Sequence, residues 1–561
     1  MSNALLDDQV PEALPEQDPC SVYPPVPGID CGRFQLPPEG LAPERLQQAL
    51  RQLRLYQAEK KRNFLGFQAN QKLDLQVLAE YLDYHINNIG DPFQQGSFGT
   101  NSKWMERAVL DYYAHLWNVP WPHDPKNNPD SYWGYVLAMG STEGNLYGLW
   151  NARDYLSGKF LLHDPRKLAR LFAARQANES FDLPSELLYV QAPLPAGEPE
   201  EYFVPVAFYS DSTHYSIVKI LRVLGIQSVK VESTGGSFGP GTIDVKDLVE
   251  KVEPYAKKKH PILLCFNYGT TFKGAYDDVK AAGEALMPVF KTYGQDRRII
   301  TNPGYKPVER TGYWSHVDGA LGAAYMPFLE KAGVKIPQFD FRLPFVHSIS
   351  MSGHKWVGAP WPCGIYMTRS KYQLSPTSDP AYIGSSDSTF AGSRNGFSAM
   401  ILWYYLATNS YQAQTEKAVA LLRLAEQTEK DLWKLQKEHW PHLDLQIARS
   451  PLSLTVLFRK ANPRIIAKYS LSNDEIGEGA EKRYYSHIYM MDHARDGRVQ
   501  RLIEDLKARD AFDREPAPSR LAAVAEQVLA PELLASDESL VAALSGLEPL
   551  AEVPLSGRGF Q

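Results

Sequence analysis

From residue 132 to residue 369, short apolar runs alternate with amphipathic stretches, the order expected of an α/β domain with a mostly parallel sheet. Residues 261–267 (PILLCFN), 345–351 (FVHSISM) and 363–368 (CGIYMT) are continuous apolar runs of strand length, as strands covered on both faces require. Ile217, Leu221 and Leu224 recur at helical spacing and stop at Gly225, which predicts a helix ending there. Earlier, Met105, Val109, Tyr112 and Leu116 form another helical stripe. Residues 162–201 are rich in Pro, Arg and Glu and read as loops with one helix. Beyond Phe397 a long helical stretch leads into alternating segments at 453–459 and 485–491, which suits a smaller α+β domain.

These patterns divide the chain into an N-terminal arm (1–43), a helical segment (44–130), a large domain (131–400), a small C-terminal domain (401–510) and a tail (511–561). The arm is rich in proline and acidic residues, a composition that buries too little surface to offset its ordering entropy. The tail, rich in alanine and proline, reads either as a docked helix or as disordered. With 561 residues the chain exceeds the usual ceiling for one hydrophobic core, so more than one packed unit is expected.

Hydrophobic residues make up 44% and charged residues 22%, the balance of a globular protein. The net charge of −6 arises from 59 basic and 65 acidic residues scattered along the sequence, leaving no basic face for nucleic acid. No stretch reaches the apolar length of a membrane span, and the acidic start lacks the order of a secretory signal. Cys20, Cys31, Cys265 and Cys363 contain no CxxC pair and read as reduced thiols of a cytoplasmic protein, and no metal site is expected.

The sharpest local signal is SMSGHKW (350–356), where an apolar strand ends in small residues followed by His354 and Lys355. Ligands of open α/β sheets bind beyond the carboxyl ends of the strands, so Lys355 is placed at a cleft, although a lone lysine is ordinarily a surface residue. In HVDGA (316–320) Asp318 follows a strand, and an acid there commonly just caps the next helix. Pyridoxal phosphate chemistry needs a carboxylate against the pyridine nitrogen, because a protonated ring is the better electron sink; Asp318 fits, and Ala320 is small enough to lie against a flat ring. GSTEGNLYGLWNARDYL, from Gly140, opens a helix whose N-terminus would bind a phosphate, with Ser141 and Thr142 as ligands. His214, in SDSTHYSIVKILRVLG, stands at the start of an amphipathic helix, either as a cap or stacked on the cofactor ring.

Together GSTEGN, THYSIVK, NYGTTFKGAYDD, HVDGA, SMSGHKW and AGSRNGF resemble the pyridoxal-phosphate-dependent group II amino-acid decarboxylases over most of residues 87–404. Within the family the chain resembles the histidine and plant serine decarboxylase branch. It is most similar to the bacterial methionine and valine decarboxylases through GSTEGNLYGLWNARDYLSGK, MSGHKWVGAPWPCGIYMT and STFAGSRNGFS.

The resemblance implies a fold-type I, aspartate-aminotransferase-like large domain with a mostly parallel seven-stranded sheet, a small C-terminal domain, and a homodimer with active sites at the interface. It implies Lys355 as the Schiff-base lysine, Asp318 at the ring nitrogen, His214 on the ring, Ser141 and Thr142 on the phosphate, and Thr271 near the phenolic oxygen. Ser352 and His354 would lie near the phosphate, Ser388 and Thr389 would reach it from the partner subunit, and residues 85–93 (HINNIGDPF) would line the substrate mouth.

One departure concerns the proton donor. The long mobile loop that carries a tyrosine in aromatic amino-acid decarboxylases is too short here, in DPAYIGSSDSTFAGSRNG, leaving Tyr382, Tyr411 and His214 as candidates. Phe93, Phe98, Trp356 and Trp361 supply apolar bulk near the predicted mouth, with Phe93 and Trp356 assigned to the substrate. The expected reaction is decarboxylation of an apolar aliphatic L-amino acid such as methionine, leucine or valine to its primary amine. The rivals are histidine or an aromatic amino acid as substrate, another fold-type I reaction such as transamination or β-elimination, and a non-catalytic scaffold.

Overall fold

The computed structural model describes Val26 and residues 28–512, apart from 164, 178–186, 304, 375–379, 381 and 478. Most of the expected arm and nearly all of the expected tail therefore lie outside the described residues. By compactness the chain divides into Met1–Ala508 and Arg509–Gln561, and every helix and strand described lies in the first.

Seven strands, β1 (Tyr132–Leu137), β2 (Val206–Ser210), β3 (Gln227–Val231), β4 (Ile262–Asn267), β5 (Tyr313–Asp318), β6 (Ser348–Ser352) and β7 (Gly364–Arg369), form one sheet. Their order is β1-β7-β6-β5-β4-β2-β3. β6, β5, β4, β2 and β3 run parallel, and β7 is antiparallel to both its neighbours, β6 and β1. Two reversals restore direction, so β1 points the same way as the parallel set. Leu137, Ser210, Asn267, Asp318 and Ser352 consequently end at one edge. β4, β5, β6 and β7 are buried at every residue, which explains runs without inside–outside alternation.

Before the sheet come α1 (Pro43–Asn63) and α2 (Lys103–Leu116). α3 (Ser141–Leu156) and α4 (Tyr215–Val223) then pack on the sheet, where Leu149, Ile217, Leu221, Leu263 and Trp314 share one core cluster. Each such side chain contributes about 1.5–3 kcal/mol by leaving water.

The expected long C-terminal helix is two, α5 (Gly396–Thr408) and α6 (Tyr411–His439). Ser410 Oγ accepts from Ala413 N at 3.2 Å, so a helix cap interrupts an otherwise helical pattern. The apolar segment 345–351 enters its strand only at Ser348, because a turn from Leu343 to Val346 (N–H to O, 3.0 Å) uses its first residues. Within 162–201 the chain forms a helix (Pro165–Gln176) and also an antiparallel pair, Lys159–His163 with Leu187–Gln191, too short to stand out from its charged surroundings. A three-stranded antiparallel sheet of β8 (Thr455–Arg459), β9 (Ser472–Ile476) and β10 (Arg483–Tyr489), in the order β8-β10-β9, follows α6.

The expectation of four reduced thiols fails at Cys31, which is disulfide-bonded, while Cys265 and Cys363 are free and buried. Burial within a strand at Cys265, and just before one at Cys363, argues for an inert thiol only at those two. Cys31 sits in a partly exposed turn, and the absence of CxxC does not prevent bonding over a longer loop. Among the described residues no helix is long and apolar enough to cross a membrane.

Candidate active site

The carboxyl ends of the strands enclose a cavity of about 260 Å³. It is lined by Ser141 and Thr142 from the first turn of α3, His214 before α4, Thr271 after β4, Asp318 and Ala320 after β5, and Ser352, His354 and Lys355 after β6. These residues are far apart in sequence and meet because parallel strands deliver their ends to one edge.

The turn into α3 is built for close approach. Gly140 has φ +69°, and a Cβ there would lie 2.7 Å from His354 Cε1. Glu143 closes the turn, its Oε2 accepting from Ala138 N (2.7 Å) and Met139 N (2.8 Å). Ser352 Oγ donates to Ser141 Oγ (2.9 Å) and accepts from Ser141 N (3.2 Å), tying the β6 end to the helix start. Hydroxyls at the positive end of a helix dipole suit a phosphate.

On the opposite side Asp318 Oδ1 accepts from Ala320 N (3.1 Å) and Oδ2 from Asn145 Nδ2 (2.8 Å). His214 caps α4, its Nδ1 accepting from Ser216 N (3.3 Å) and lying 2.7 Å from Ser216 Oγ. A ring nitrogen that accepts a backbone N–H carries no proton, so neutral His214 bears its proton on Nε2. Burial lowers the His214 pKa; Asp318 opposes the shift, and Lys355 and Lys219 add to it. Burial likewise holds Lys355 below its ordinary value against the attraction of Asp318, favouring the neutral amine. His354 is pushed down to about 4 by burial and by Lys355.

Other assigned residues lie elsewhere. Trp356 is fully buried, stacked on Tyr325 (5.2 Å) with its Nε1 donating to Gln414 Oε1 (3.3 Å), so it packs the interior and not the cavity. Phe93 stacks on His123 at 3.6 Å with Arg107 4.4 Å from its centroid, and does not line the cavity either. Ser388 Oγ donates to Asp91 Oδ2 (2.5 Å) and Thr389 Oγ1 to Ala391 O (2.8 Å), both outside this chain's cavity. Residues 85–93 pair instead with the later loop, through Asn88 N to Arg394 O (2.9 Å) and Asp91 N to Ser386 O (2.8 Å). Trp361 donates to Ser398 Oγ (2.8 Å), and Phe98 packs edge-on to His85. Of the proton-donor candidates, Tyr382 is 83% exposed and Tyr411 39% exposed; His214 alone lines the cavity.

Asn145, Ser216, Asn267 and Met139 were not anticipated as lining residues. Asn145 had a signal: it stands four residues after Ser141 and hence on the same face of α3.

The amine, carboxylate and hydroxyl cluster matches an aldehyde, a pyridine nitrogen and a phosphate in turn, and the Gly140 cradle leaves room that a side chain would take. Fold and site together define a fold-type I pyridoxal-phosphate enzyme. Residues 197–447 match the pyridoxal-dependent decarboxylase conserved domain. Histidine decarboxylase of Solanum lycopersicum is 30% identical over 416 residues, 74% of this chain and 79% of that protein. Serine decarboxylase 3 of Oryza sativa subsp. japonica is 28% identical over 465 residues, 82% of each. The structure of L-methionine decarboxylase from Streptomyces sp.590 superimposes with a TM-score of 0.76 at 40% identity, covering 85% of this chain and 97% of that one. The chain belongs to the pyridoxal-dependent decarboxylase family and is a pyridoxal-phosphate-dependent amino-acid decarboxylase, a carboxy-lyase.

Proposed function

We propose that the substrate is an apolar aliphatic L-amino acid such as methionine, leucine or valine, converted to its primary amine and carbon dioxide. The carrying observation is the charge inventory of the cavity: among its described lining residues Asp318 is the single carboxylate and Lys355 the single lysine or arginine. Asp318 is already engaged by Asn145 and by Ala320 N, so no free charge remains to grip an ionic side chain. The 40% identity to an L-methionine decarboxylase supports the same choice. Histidine and serine are the alternatives named by the relatives at 30% and 28% identity.

When bound, pyridoxal phosphate supplies an electron sink for the pair left as the Cα–carboxylate bond breaks. Ser141, Thr142, Ser352 and His354 would hold the phosphate, and Asp318 would face the ring nitrogen. The neutral Lys355 amine is the form able to bond the aldehyde carbon. His214, which lines the cavity with its proton on Nε2, would stack on the ring and offer a hydrogen to the substrate carbon.

We infer also that the enzyme works as a homodimer, with Ser388 and Thr389 serving the partner's site. Leu46, Leu50 and Leu53 of α1, which recur at helical spacing, and Trp104 of α2 are exposed apolar side chains that a partner subunit would cover.

The test is amine formation from each common L-amino acid by the holoenzyme, with sedimentation to read the assembly. Methionine, leucine or valine should give the highest kcat/KM. Histidine, serine or an aromatic amino acid as sole substrate would overturn the choice, and a keto acid as the product would overturn decarboxylation itself.

A further inference from the structure

From Asp318 a buried hydrogen-bonded line runs through the cavity-lining Asn145 into the interior, and its members beyond Asp318 have none of the roles assigned above. Trp314 Nε1 lies 3.1 Å from Ser348 Oγ, Ser348 Oγ 2.8 Å from His316 Nδ1, His316 Nε2 2.9 Å from Asn145 Oδ1, and Asn145 Nδ2 2.8 Å from Asp318 Oδ2. Trp314, His316 and Ser348 are fully buried, and Asn145 is 1% exposed.

The bond directions in this line are set from its two ends. An indole N–H can only donate, so Ser348 Oγ accepts from Trp314 and keeps a hydrogen it can give to His316 Nδ1; at the other end Asn145 Nδ2 donates to Asp318, which leaves Oδ1 to accept from His316 Nε2. With Nδ1 accepting, the proton of neutral His316 resides on Nε2 and is donated to Asn145 Oδ1. Ser350 Oγ donates to the same oxygen at 2.6 Å. Two donors on Oδ1 fix the amide so that its NH2 group faces Asp318 and cannot turn its oxygen there. Burial pushes His316 down to about 4, with Asp318 opposing, which keeps one proton on the ring. The same amide NH2 lies 3.5 Å from Ser216 Oγ, the hydroxyl beside His214 Nδ1, so one side chain touches the supports of both Asp318 and His214.

We propose that His316 and Asn145 are positioning residues that hold the Asp318 carboxylate as a hydrogen-bond acceptor aimed at the ring nitrogen of the cofactor, on a line anchored at Trp314. The inference rests on the cofactor site and not on the choice of amino acid. It also assigns a task to the histidine of HVDGA, which immediately precedes β5's last two residues, is fully buried and does not line the cavity.

The test uses holoenzyme without substrate and reads the visible absorption of bound cofactor against pH, together with the cofactor dissociation constant. His316→Leu and Asn145→Ala should each move the titration midpoint by about half a unit or more and weaken cofactor binding about tenfold, the scale of losing one hydrogen bond that supports a charged group. His316→Gln, whose amide N–H2 can donate in place of Nε2–H, should recover most of both effects. With a cofactor analogue carrying C–H in place of the ring nitrogen, wild type and His316→Leu should bind alike, because the contact being positioned is gone. Should His316→Leu fail to fold, Ser348→Ala removes one buried hydroxyl from the same line and is read identically. An unmoved midpoint in the variants, no recovery by His316→Gln, or an equal loss of affinity for the carbon analogue would overturn the proposal in favour of simple packing. Because no amino acid is present, a wrong substrate assignment leaves this outcome untouched.

Discussion

Glu106 and Arg394 form an ion pair with side-chain exposures of 0% and 2%, and its removal should be among the costliest single changes in the chain. Glu106 Oε1 accepts from Arg394 Nη1 and from Val136 N (2.9 Å), and Oε2 accepts from Asn88 Nδ2 (2.9 Å). The guanidinium also donates to Gly90 O at 3.0 Å. Glu106→Ala therefore strips an acceptor from three donors and leaves a cation uncompensated in the interior, which costs about 3–5 kcal/mol, against the ~0–1 kcal/mol of an exposed pair. Arg394→Met also leaves a buried charge, but the carboxylate keeps Val136 N and Asn88, so the loss should be smaller. The double variant Glu106→Ala/Arg394→Met leaves neither charge and should fall well short of the sum, with a coupling of about 2 kcal/mol or more. Urea unfolding followed by tryptophan fluorescence, at fixed protein and saturating cofactor, gives the cycle. Single-variant losses below about 1 kcal/mol, or additivity within ~0.5 kcal/mol, would refute the reasoning. Since Arg394 and Asn88 tie residues 87–94 to residues 385–395, proteolysis of both loops should accelerate together in Glu106→Ala.

Lys355→Ala should lower carbon dioxide release by at least ~100-fold while the protein stays folded, and release at the native rate would remove the lysine from the chemistry. Gly140→Ala forces a Cβ to 2.7 Å from His354 Cε1 at φ +69°. With ψ −165° that backbone is open essentially to glycine alone and costs ~1–3 kcal/mol in other residues, and the added methyl displaces His354 in the cavity lining, so cofactor affinity should fall about tenfold in equilibrium dialysis. Stability should drop as pH falls from about 6.5 toward 4: burial holds His316, His354 and His487 at about 4 in the folded chain, so the unfolded chain takes up more protons throughout that window. Asp277, raised to about 6 by burial, opposes them, because below that pH the folded chain binds its proton first. Thermal melts across the window that rise on acidification would contradict the sign.

The sequence by itself carried the strands, because parallel strands covered on both faces must be continuously apolar, as 261–267 and 363–368 are. It also carried the residues at the strand ends, since small residues beside Lys355, Asp318 and Ser141 mark where backbone approaches a ligand. Local pattern missed the cap at Ser410 within a helical run and the paired strands around residue 160. Which neighbour of a site residue faces the cavity was decided only by the tertiary structure. Lys355 lines the cavity, whereas Trp356, one residue on, turns into the core against Tyr325, a direction set by packing partners distant in the chain. The contact of Asn145 with Asp318 spans 173 positions, and the line from Trp314 joins β5, β6 and α3. Such bonds exist because parallel strands and their helices bring separate segments to one edge, and a hydrogen bond depends on distance and direction in space, which residue order along the chain does not encode.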